Sequence, residues 1–445
     1  MCKVCKFGGT SMADADAIRN VEDIIRSDDS RRVVVVSAPG KRFKDDEKVT
    51  DLLYRAFSLK DDPTGFCGVF GKITARYDGI IKDLKLDCDL SAEYEAISQK
   101  IRASKTPDYA ASRGEYLSAL ITAKYLGFDF IDAKDCIRFD SSRVFDPETT
   151  NGLLGSALSG GRYAVLPGFY GADARGEIVT FSRGGSDVTG SIAARAAKAL
   201  VYENWTDVDG FLTADPRIVD KPELIETLSY KELRELSYMG ASVLHHEAIF
   251  PVRKEGIPIN VKNTFDKTKA GTMILPAAKL PKPRRIVTGI AGKKNYSVIN
   301  IEKSLLNNEI GFVRKVLSIL EKYGISFEHM PTGIDTMSII LADSEFKIPP
   351  DRLVEEIKTT LSPDSIAVYS GLSLIAVVGH GMENKKGTAA QICGALFDAD
   401  INIRMIDQGS SEINIIVAVG TDDYERAVNA VYDSFFRRGA SRESA

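Results

Sequence analysis

The sequence has few cysteines, and their arrangement argues against a metal or disulfide framework. Six cysteines are scattered over 445 residues. Cys2 and Cys5 have CxxC spacing, but they lie in an apparent strand, where residues three apart point to opposite faces. No second pair or nearby histidine would complete a metal site, so core packing explains them better than zinc or redox chemistry. We therefore expect a reducing compartment, the cytoplasm.

Other absences narrow the possible partners. No apolar run approaches the roughly 20 residues that span a bilayer, and a net charge of −4 provides no basic face for nucleic acid. We expect neither membrane nor nucleic acid as a partner. The N-terminus begins directly with a strand pattern, so we expect no cleaved targeting segment. Neither a P-loop motif nor GxGxxG after a strand occurs, which gives no support to P-loop or Rossmann chemistry.

The chain is long enough for about three domains, and its N-terminal part alternates strands with helices. Lys3 to Phe7 predicts a strand, followed by Gly-Gly-Thr-Ser and a helix to about Arg26 with Ser11 as N-cap. Arg32 to Val36 predicts a second, fully buried strand that ends in a small-residue loop. Such apolar strands indicate a mostly parallel sheet covered on both faces. Ligands of such sheets bind at the carboxyl ends of the strands, where both loops lie.

Residues 181–191, Phe-Ser-Arg-Gly-Gly-Ser-Asp-Val-Thr-Gly-Ser, have the composition of an anion-binding loop. They follow a predicted strand at 178–180 and lead into an alanine-rich helix. The glycine pair would let backbone N–H groups approach an anion, and the helix N-terminus adds partial positive charge. Arg183 offers a planar fork for a carboxylate, with the negative charge of Asp187 beside it. For this motif alone, an ordinary capped helix after a glycine turn is an equally good interpretation.

Two further acidic motifs have ordinary explanations, and the first of them also suits phosphate chemistry. Asp207 and Asp209 follow a strand pattern, with Arg217 beyond them, and suit a neighbourhood of phosphate and Mg²⁺. Asp-x-Asp-Gly is also a common turn sequence. Glu115 stands near the start of a predicted helix, where an acid usually serves as a cap or dipole partner.

Five motifs in order and at sensible spacing resemble the aspartokinase family. They are Lys6-Phe7-Gly8-Gly9-Thr10-Ser11, Val36-Ser37-Ala38, Arg113-Gly114-Glu115, the segment Phe181 to Asp187, and Thr206-Asp207-Val208-Asp209-Gly210. The resemblance runs from Lys6 to the C-terminus. It implies an α/β amino-acid-kinase fold, a mostly parallel sheet sandwiched by helices. It also implies phosphorylation of the aspartate side chain by MgATP, the first step towards lysine, threonine and methionine.

The resemblance also assigns roles that agree with phosphoryl-transfer chemistry, which needs positioning and charge neutralisation. Lys6 would neutralise charge on the γ-phosphate, and Asp187 would orient that lysine or the metal-bound phosphate. Arg183 would hold the substrate α-carboxylate and Glu115 its ammonium group. The other predicted contacts are Thr50 and Ser37 for the substrate, and Lys6, Gly8, Gly9, Thr10, Gly184, Gly185, Thr206, Asp207, Asp209, Leu212, Arg217 and Ser242 for the nucleotide. The expected cofactor is ATP with Mg²⁺, and no residue is predicted as a dedicated metal ligand.

Two departures from the family pattern fall on the nucleotide segment. Many members have Gly-Ala-Lys-Val-Leu-His-Pro where this chain has Gly-Ala-Ser-Val-Leu-His-His, so Ser242 replaces a lysine. Leu212 stands where a tyrosine is common. Neither change alters the predicted catalytic or substrate-binding residues, so we expect an active enzyme with rearranged nucleotide contacts. The sequence His245-His246-Glu247 is not HExxH, and we interpret it as packing.

The C-terminal part is a tandem repeat beyond a proline- and lysine-rich connector at 276–285. Gly387 lies 76 residues after Gly311, and Ile401 lies 76 residues after Ile325. Both copies resemble the ACT domain, a ferredoxin-like βαββαβ module that binds small amino acids. The predicted strands lie near 286–291, 296–301, 325–330, 335–342, 365–369, 373–379, 401–407 and 412–419, and the helices near 310–323, 349–361, 386–398 and 421–436.

Two of these eight strands precede the first helix and none follows the last. The simplest explanation is that the strand at 286–291 completes the second unit, so that the two ACT domains are interleaved, as the family also implies. The predicted domains are 1–280 (kinase), 286–370 (first ACT) and 371–445 (second ACT). Because the chain ends just after the second repeat, we expect no fused homoserine dehydrogenase.

The resemblance predicts feedback regulation and a homo-oligomer formed through ACT domains. The expected effector contacts are Asn308, Gly311, Phe312, Val313, Ser326, Phe327, Glu328 and Thr332 in the first unit, and Asn402, Arg404 and Gln408 in the second. For the second unit, dimer contacts are an equally good interpretation. Lysine is the first choice of effector because the acidic Glu328 suits a cation, and threonine is close behind. Ile334 weakens the case for lysine, since lysine-responsive relatives tend to carry an acid there.

Two alternatives remain open on the sequence. One is another amino-acid kinase that makes an acyl phosphate, such as glutamate 5-kinase, which the ACT repeat and the Thr-Asp-Val-Asp-Gly segment oppose. The other is an amino-acid-sensing protein with a degenerate kinase domain. Ser242 is its only support, and the intact Lys6 and Asp187 oppose it.

Overall fold

The structure is a computed structural model that describes residues 2–437 except 183, 242 and 284. It divides into two compact units. The first takes residues 1–211, 224–237 and 242–281, and the second takes 212–223, 238–241 and 282–445. Among the described residues, no helix is both long and apolar enough to cross a bilayer.

A mostly parallel sheet forms the centre of the first unit. Among the described residues it has eight strands in the order β10-β12-β11-β9-β1-β2-β6-β3, and only β11 and β12 pair antiparallel. The strands are β1 (Lys3–Phe7), β2 (Arg31–Val36), β3 (Asp129–Phe130), β6 (Ala164–Pro167), β9 (Val201–Thr206), β10 (Thr227–Ser229), β11 (Ile259–Asn263) and β12 (Thr272–Leu275). A second sheet, of order β5-β4-β7-β8, contains β4 (Arg138–Phe139), β5 (Phe145–Asp146), β7 (Tyr170–Ala172) and β8 (Ile178–Thr180).

Helices cover this sheet because its central strands are apolar on both faces. Val33 to Val36 in β2 are all buried, as a continuous apolar run predicts. The helices are α1 (Ala15–Arg26), α2 (Val49–Ser58), α3 (Pro63–Asp83), α4 (Ser91–Ala103), α5 (Asp108–Leu126), α6 (Ala133–Cys136), α7 (Pro147–Ala157), α8 (Gly185–Ala196), α9 (Tyr230–Tyr238) and α10 (Ile249–Arg253). The predicted α/β class is confirmed.

The first helix begins later than the sequence predicts. Residues 9–12 form a 3₁₀ turn, and the N-cap of α1 is Asp14, whose carboxylate accepts from the Ala17 N–H at 2.9 Å. Ser11, the expected cap, is buried, and its Oγ lies 2.8 Å from the hydroxyl of Thr264. The cap prediction is therefore wrong, because a partner distant in sequence takes the serine.

The second unit has an antiparallel sheet of order β14-β13-β15-β17-β16. Its strands are β13 (Gly289–Glu302), β14 (Thr336–Ala342), β15 (Ser365–Val378), β16 (Met405–Asp407) and β17 (Asn414–Gly420), and its helices are α11 (Phe312–Lys322), α12 (Pro350–Leu361), α13 (Thr388–Asp398) and α14 (Tyr424–Tyr432). The predicted helices are present, but eight separate strands are not found among the described residues.

Two features account for the lower strand number. First, two predicted strands merge into one in each of two places. The strands predicted at 286–291 and 296–301 become β13, and those at 365–369 and 373–379 become β15. They merge because β13 and β15 stay paired with each other through register shifts near Tyr296. Residues 325–330 make only an isolated bridge, His329 to Ile340. Pro331 follows, which has no N–H to extend a ladder.

Strand β13 contributes to two separate hydrophobic cores. Ile290 packs in a core whose other members come mainly from residues 375–436, whereas Ile299 packs in a core that extends only to residue 368. The first part of β13 pairs with 373–378 and the second with both 365–372 and β14. The domain limits proposed from the sequence stay a prediction.

Candidate active site

A cavity of about 550 Å³ opens in the first unit, beside the carboxyl ends of strands β1, β2 and β9 and the start of α8. This is the edge at which parallel sheets of this class bind ligands. The residues that line it are Lys6, Gly9, Thr10, Ser37, Ala38, Pro39, Gly40, Lys41, Lys48, Thr50, Glu115, Phe169, Gly184, Gly185, Ser186, Asp187 and Asp207.

An ion pair between β1 and α8 lies in the wall of this cavity. The Nζ of Lys6 is 2.6 Å from Oδ1 of Asp187, and both side chains are nearly buried. The Nδ2 of Asn204, in β9, donates to the same carboxylate oxygen at 2.9 Å. The Tyr202 hydroxyl donates to the Asp187 backbone carbonyl at 3.0 Å. These contacts fix the carboxylate, which in turn holds the ammonium group at the cavity wall.

Two glycines bring the loops after β1 and β2 into contact. The Gly40 N–H donates to the Gly9 carbonyl at 2.8 Å. A Cβ on Gly40 would lie 2.7 Å from the Gly9 carbonyl carbon, so no larger residue fits without movement of the backbone. The chain beyond Gly40 then adds Lys41 and Lys48 to the cavity wall. This part of the cavity is therefore positively charged and lined by backbone, as an anion requires.

Glycine is also required at the start of α8. Gly184 is the N-cap and has φ of 78°, and a Cβ there would lie 2.4 Å from Cβ of His245. The left-handed conformation turns the chain from β8 into the helix, so that the first turn of α8 lines the cavity. Arg183, predicted to bind the substrate carboxylate, lies outside the described residues.

Glu115 provides a buried acid to the same cavity. It lies in α5, and burial raises its pKa to about 8. Hydrogen bonds from the backbone N–H groups of Ala38 and of Glu115 itself act in the opposite direction and lower the pKa, but burial has the larger effect. Within the described part of the chain, its Oε2 has no hydrogen-bond partner. Gly114 lets α5 come this close, since a Cβ there would lie 2.6 Å from Cβ of Ala38. A buried carboxylate with an unused acceptor suits a cationic ligand group.

Most of the other predicted substrate and nucleotide residues of the first unit also line the cavity. Ser37 follows β2, and Thr50 lies in the first turn of α2, whose N-cap is Lys48 rather than the threonine. Thr10 donates its hydroxyl to the Asp207 carboxylate at 3.1 Å, which joins the loops after β1 and β9. Gly9, Gly184 and Gly185 also line the wall.

Three other predicted nucleotide residues of the first unit, Gly8, Thr206 and Asp209, are not among the described residues that line the cavity. The Gly8 N–H donates to the Trp205 carbonyl at 3.2 Å, and the Thr206 hydroxyl contacts the Asp207 carboxylate at 3.3 Å. Asp209 is held by Asn263 at 2.7 Å and Lys269 at 3.0 Å.

Two more of these residues, Leu212 and Arg217, belong to the second unit. Arg217 is paired there with Asp215 at 2.6 Å. Ser242 lies outside the described residues.

Several cavity residues were not predicted from the sequence. They are Lys41, Lys48, Phe169 and Ser186 in the wall, together with Asn204 and Tyr202, which hold Asp187. The sequence offered one signal for them, which is closeness to residues that were predicted. Lys48 is two residues before Thr50, and Asn204 is two residues before Thr206. The position of Phe169 depends on a tertiary contact that no local pattern encodes.

Comparison with known proteins identifies the family. The amino acid kinase family profile matches residues 1–263, and an ACT domain profile matches 375–435. Aspartokinase 3 of Bacillus subtilis is 37% identical, with 98% of each chain covered. The chain belongs to the aspartokinase family.

Solved aspartokinase structures agree in fold. Aspartate kinase from Clostridium acetobutylicum has a TM-score of 0.91 and 50% identity, with 97% of this chain and 100% of that chain covered. E. coli aspartokinase III in complex with aspartate and ADP has a TM-score of 0.80 and 26% identity, over 98% of this chain and 100% of that chain. The same enzyme in complex with lysine and aspartate has a TM-score of 0.76. Like its relatives, this aspartokinase is therefore a kinase.

The predicted effector residues of this aspartokinase lie in the second unit. Asn308 ends a 3₁₀ turn, Gly311 caps α11 with φ of 84°, and Phe312 is buried in the core with Val313 packed against it.

The segment that follows α11 passes beside strand β14. The Glu328 N–H donates to the Ile340 carbonyl at 2.8 Å, and Thr332 bridges to Met337. The Ser326 N–H donates to the Glu345 carboxylate at 3.3 Å. Phe327 is partly exposed.

The second repeat differs in exposure. Asn402, Arg404 and Gln408 are all exposed and lie in or beside the short strand β16. The Arg404 N–H donates to the Ala418 carbonyl at 2.8 Å. His329 of the first repeat and Asp407 of the second lie 2.7 Å apart, so the corresponding segments of the two repeats are in contact.

Proposed function

We propose that this aspartokinase transfers the γ-phosphoryl group of ATP to the side-chain carboxylate of L-aspartate, giving 4-phospho-L-aspartate. The observation that carries the proposal is that one cavity contains both the Lys6–Asp187 pair and the buried carboxylate of Glu115, whose Oε2 has no hydrogen-bond partner among the described residues. A relative that binds aspartate and ADP supports the same substrates.

The amino acid would be recognised through its two charged α-groups. The ammonium group would bind to Glu115, and binding a cation would keep that carboxylate ionised. Thr50 and Ser37 also line the cavity and would add hydroxyl contacts to the substrate. Arg183 would hold the α-carboxylate bidentately. Complementary charges of this kind select an amino acid over a dicarboxylate.

The phosphoryl group would be stabilised by fixed positive charge. Lys6 is already oriented by Asp187, so no reorganisation is needed as charge develops on the transferring oxygens. Lys41 and Lys48 would add charge for the nucleotide phosphates, and the Gly9, Gly184 and Gly185 backbone would allow close approach. The role of the protein is to place two reactants in line rather than to form a covalent intermediate.

The carboxylates of the cavity fit Mg²⁺ bound with ATP. Mg²⁺ typically uses one or two protein carboxylates, with substrate phosphates and water as its other ligands. Asp187 and Asp207 both line the cavity and would hold the ion directly or through water. When bound, Mg²⁺ would neutralise phosphate charge.

Trapping the product tests the proposal. With aspartate, MgATP and hydroxylamine, the purified chain should form aspartyl hydroxamate. Lys6→Met should lower kcat by about 10²–10³-fold with a smaller change in the aspartate KM. Lys3→Met is the control, because Lys3 lies in the same strand but pairs with Asp28 at 2.7 Å. Absence of hydroxamate from the wild-type chain would refute the activity.

A substrate panel separates the alternatives. Glutamate turned over faster than aspartate would indicate a different acyl-phosphate-forming kinase. Binding of amino acids without turnover of any of them would indicate a sensing protein with a degenerate kinase domain.

Regulation and assembly follow from the second unit. We infer that lysine, or threonine, binds around Glu328 and inhibits the kinase, and that ACT domains of two copies pair in a homo-oligomer. A relative that binds lysine supports the first choice. The predicted domain limits 1–280, 286–370 and 371–445 and the cytoplasmic location belong to the same proposal.

A further inference from the structure

A second cavity of about 340 Å³ lies in the first unit, between α4, α5, α6 and the hairpin that ends in β8. The two cavities share no lining residue among those that the structure describes. Helix α5 presents Arg113 to this second cavity and Glu115 to the catalytic one.

Arg113 is a buried cation in the wall of the second cavity. The residue is 4% exposed, and its guanidinium lies over three tyrosine rings, with centroids at 4.7 Å (Tyr109), 4.4 Å (Tyr116) and 5.1 Å (Tyr170). Its Nε and Nη2 donate to the Ser112 hydroxyl at 3.1 and 3.0 Å. Among the described residues, no carboxylate forms an ion pair with it.

Asp132, which contacts one of these tyrosines, is held by other partners. Asp132 accepts from the Tyr170 hydroxyl at 2.7 Å, and its second oxygen lies 3.4 Å from Lys134. Buried charges in proteins are usually paired, and aromatic faces offset only part of the cost of leaving water. The guanidinium therefore lines the cavity without a carboxylate partner among the described residues, and an anionic ligand could supply one.

The other lining residues define the ligand further. The Nζ of Lys100 lies 4.7 Å from the Tyr109 ring centroid and adds a second cation. Ile97 and Ile178, with the tyrosine rings, form apolar walls. Glu93 is the acidic member among the described lining residues, against the cations Arg113, Lys100 and Lys134.

We propose that this cavity binds a small carboxylate that carries an apolar or aromatic group. The carboxylate contacts Arg113 and Lys100, and the apolar group packs on Tyr109, Tyr116 and Ile97. The volume is near the lower end of the range for small-molecule sites, so the ligand is a single small molecule.

Calorimetric titration of the full chain with phenylacetate tests the proposal. We expect saturable binding, and none by phenylacetamide, which has the same ring but no charge. Arg113→Gln should weaken phenylacetate binding by at least about tenfold, since it removes a charged hydrogen-bonding partner. Lys100→Gln should weaken it several-fold. Lys124→Gln, at an exposed position on the same helix, and Lys6→Met, in the catalytic cavity, should leave the affinity unchanged.

Three outcomes would overturn the site. They are the absence of saturable phenylacetate binding, equal affinity for phenylacetamide, and phenylacetate affinity that is unchanged in Lys100→Gln. The phenylacetate affinity of Lys100→Gln also tests the site if Arg113→Gln fails to fold. Lys100 is exposed, so its replacement removes no core packing.

Discussion

At the scale of single residues, the two acids of the catalytic cavity have opposite environments. Asp187 is surrounded by donors, namely Lys6 at 2.6 Å and Asn204 at 2.9 Å. Glu115 is buried, one of its oxygens has no hydrogen-bond partner among the residues that the structure describes, and burial raises its pKa to about 8. The Asp187 carboxylate is thus held in place by protein donors before any ligand binds, whereas the second oxygen of Glu115 gains a partner when a cation binds.

Glu115→Gln should change how aspartate binding depends on pH. In the free enzyme the acid is protonated below about pH 8, so kcat/KM for aspartate should rise with pH to about 8 and then level off. The variant should lose this rise and have a higher aspartate KM. Glu95→Gln, in exposed helix α4, is the control. A Glu115→Gln enzyme that keeps the wild-type pH profile would contradict the assignment.

The same substitution has a signed effect on stability. Because the folded-state pKa of Glu115 is raised from 4.5 to about 8, its ionisation opposes folding, and stability is lost as pH rises between those values. Below that window both states are protonated and nothing is lost. Glu115→Gln should therefore raise the Tm of the substrate-free protein at pH 8 but not at pH 4. Equal Tm differences at both pH values would exclude this cause.

At the scale of elements, the start of α8 depends on one backbone conformation. Gly184→Ala forces a left-handed alanine, which costs about 1–2 kcal/mol, and places Cβ against His245. We expect a lower free energy of unfolding and a lower kcat/KM, since the first turn of α8 carries Asp187. Gly79→Ala is the control, because nothing lies within 4 Å of that Cβ in helix α3. It should stabilise by about 0.5–1 kcal/mol, and the opposite order of stabilities would contradict the structure.

Strand β13 provides a second test at this scale. Ile290→Ala and Ile299→Ala remove the same atoms from one strand, each at a cost of about 2–5 kcal/mol, but from different cores. Hydrogen exchange should increase in α13 and α14 for the first variant and in α11 and α12 for the second. If both variants loosened the same pair of helices, β13 would not join two cores.

Local sequence patterns predicted most helices and strands, but they predicted the helix caps and the breaks between strands poorly. The glycine loops after β1 and before α8 were recognisable because glycine at the end of a strand usually marks a turn or loop. Ser11 and Asp14 are both good N-caps, and only the contact of Ser11 with Thr264, 253 residues away, decides between them. The gap between the predicted strands 286–291 and 296–301 was misleading, since pairing with β15 continues through Tyr296.

The same limit applies to the candidate site. The roles of Lys6, Glu115 and Asp187 were predicted because the motifs that contain them resemble those of the aspartokinase family, and all three residues line the cavity. Arg217 was predicted from sequence proximity to Asp207, yet it is paired with Asp215. Phe169 reaches the cavity through tertiary packing, which spacing cannot encode.

At the scale of the whole molecule, the two units are connected by more than one linker. Residues 212–223 and 238–241 belong to the second unit, although first-unit segments flank them in sequence. An effector can change catalysis only if it binds one arrangement of the chain more tightly than another. Segments that pass between the units are therefore where an effector's preference can be transmitted.

Tyr238 is the residue at which we expect that transmission. Burial, together with the nearby carboxylate of Glu328, the proposed partner of lysine, raises the pKa of both Tyr238 and Tyr296. Only Tyr238 lies directly after a first-unit segment, which ends at Ser237. An ammonium group on Glu328 would compete with both hydroxyls, but displacement of Tyr238 would also act on the end of α9.

Lysine inhibition of hydroxamate formation measures the two roles separately. Glu328→Gln should raise the lysine concentration for half-inhibition by about tenfold or more, because it removes the charge that binds the ammonium. Tyr238→Phe should lower the maximal inhibition and leave kcat without lysine unchanged. Tyr296→Phe, which removes the other hydroxyl, should keep the maximal inhibition. If Tyr238→Phe and Tyr296→Phe lowered the maximal inhibition equally, Glu328 would act through its own repeat and not through Tyr238. If lysine did not inhibit the wild-type enzyme, the assignment of lysine as the ligand of Glu328 would be wrong.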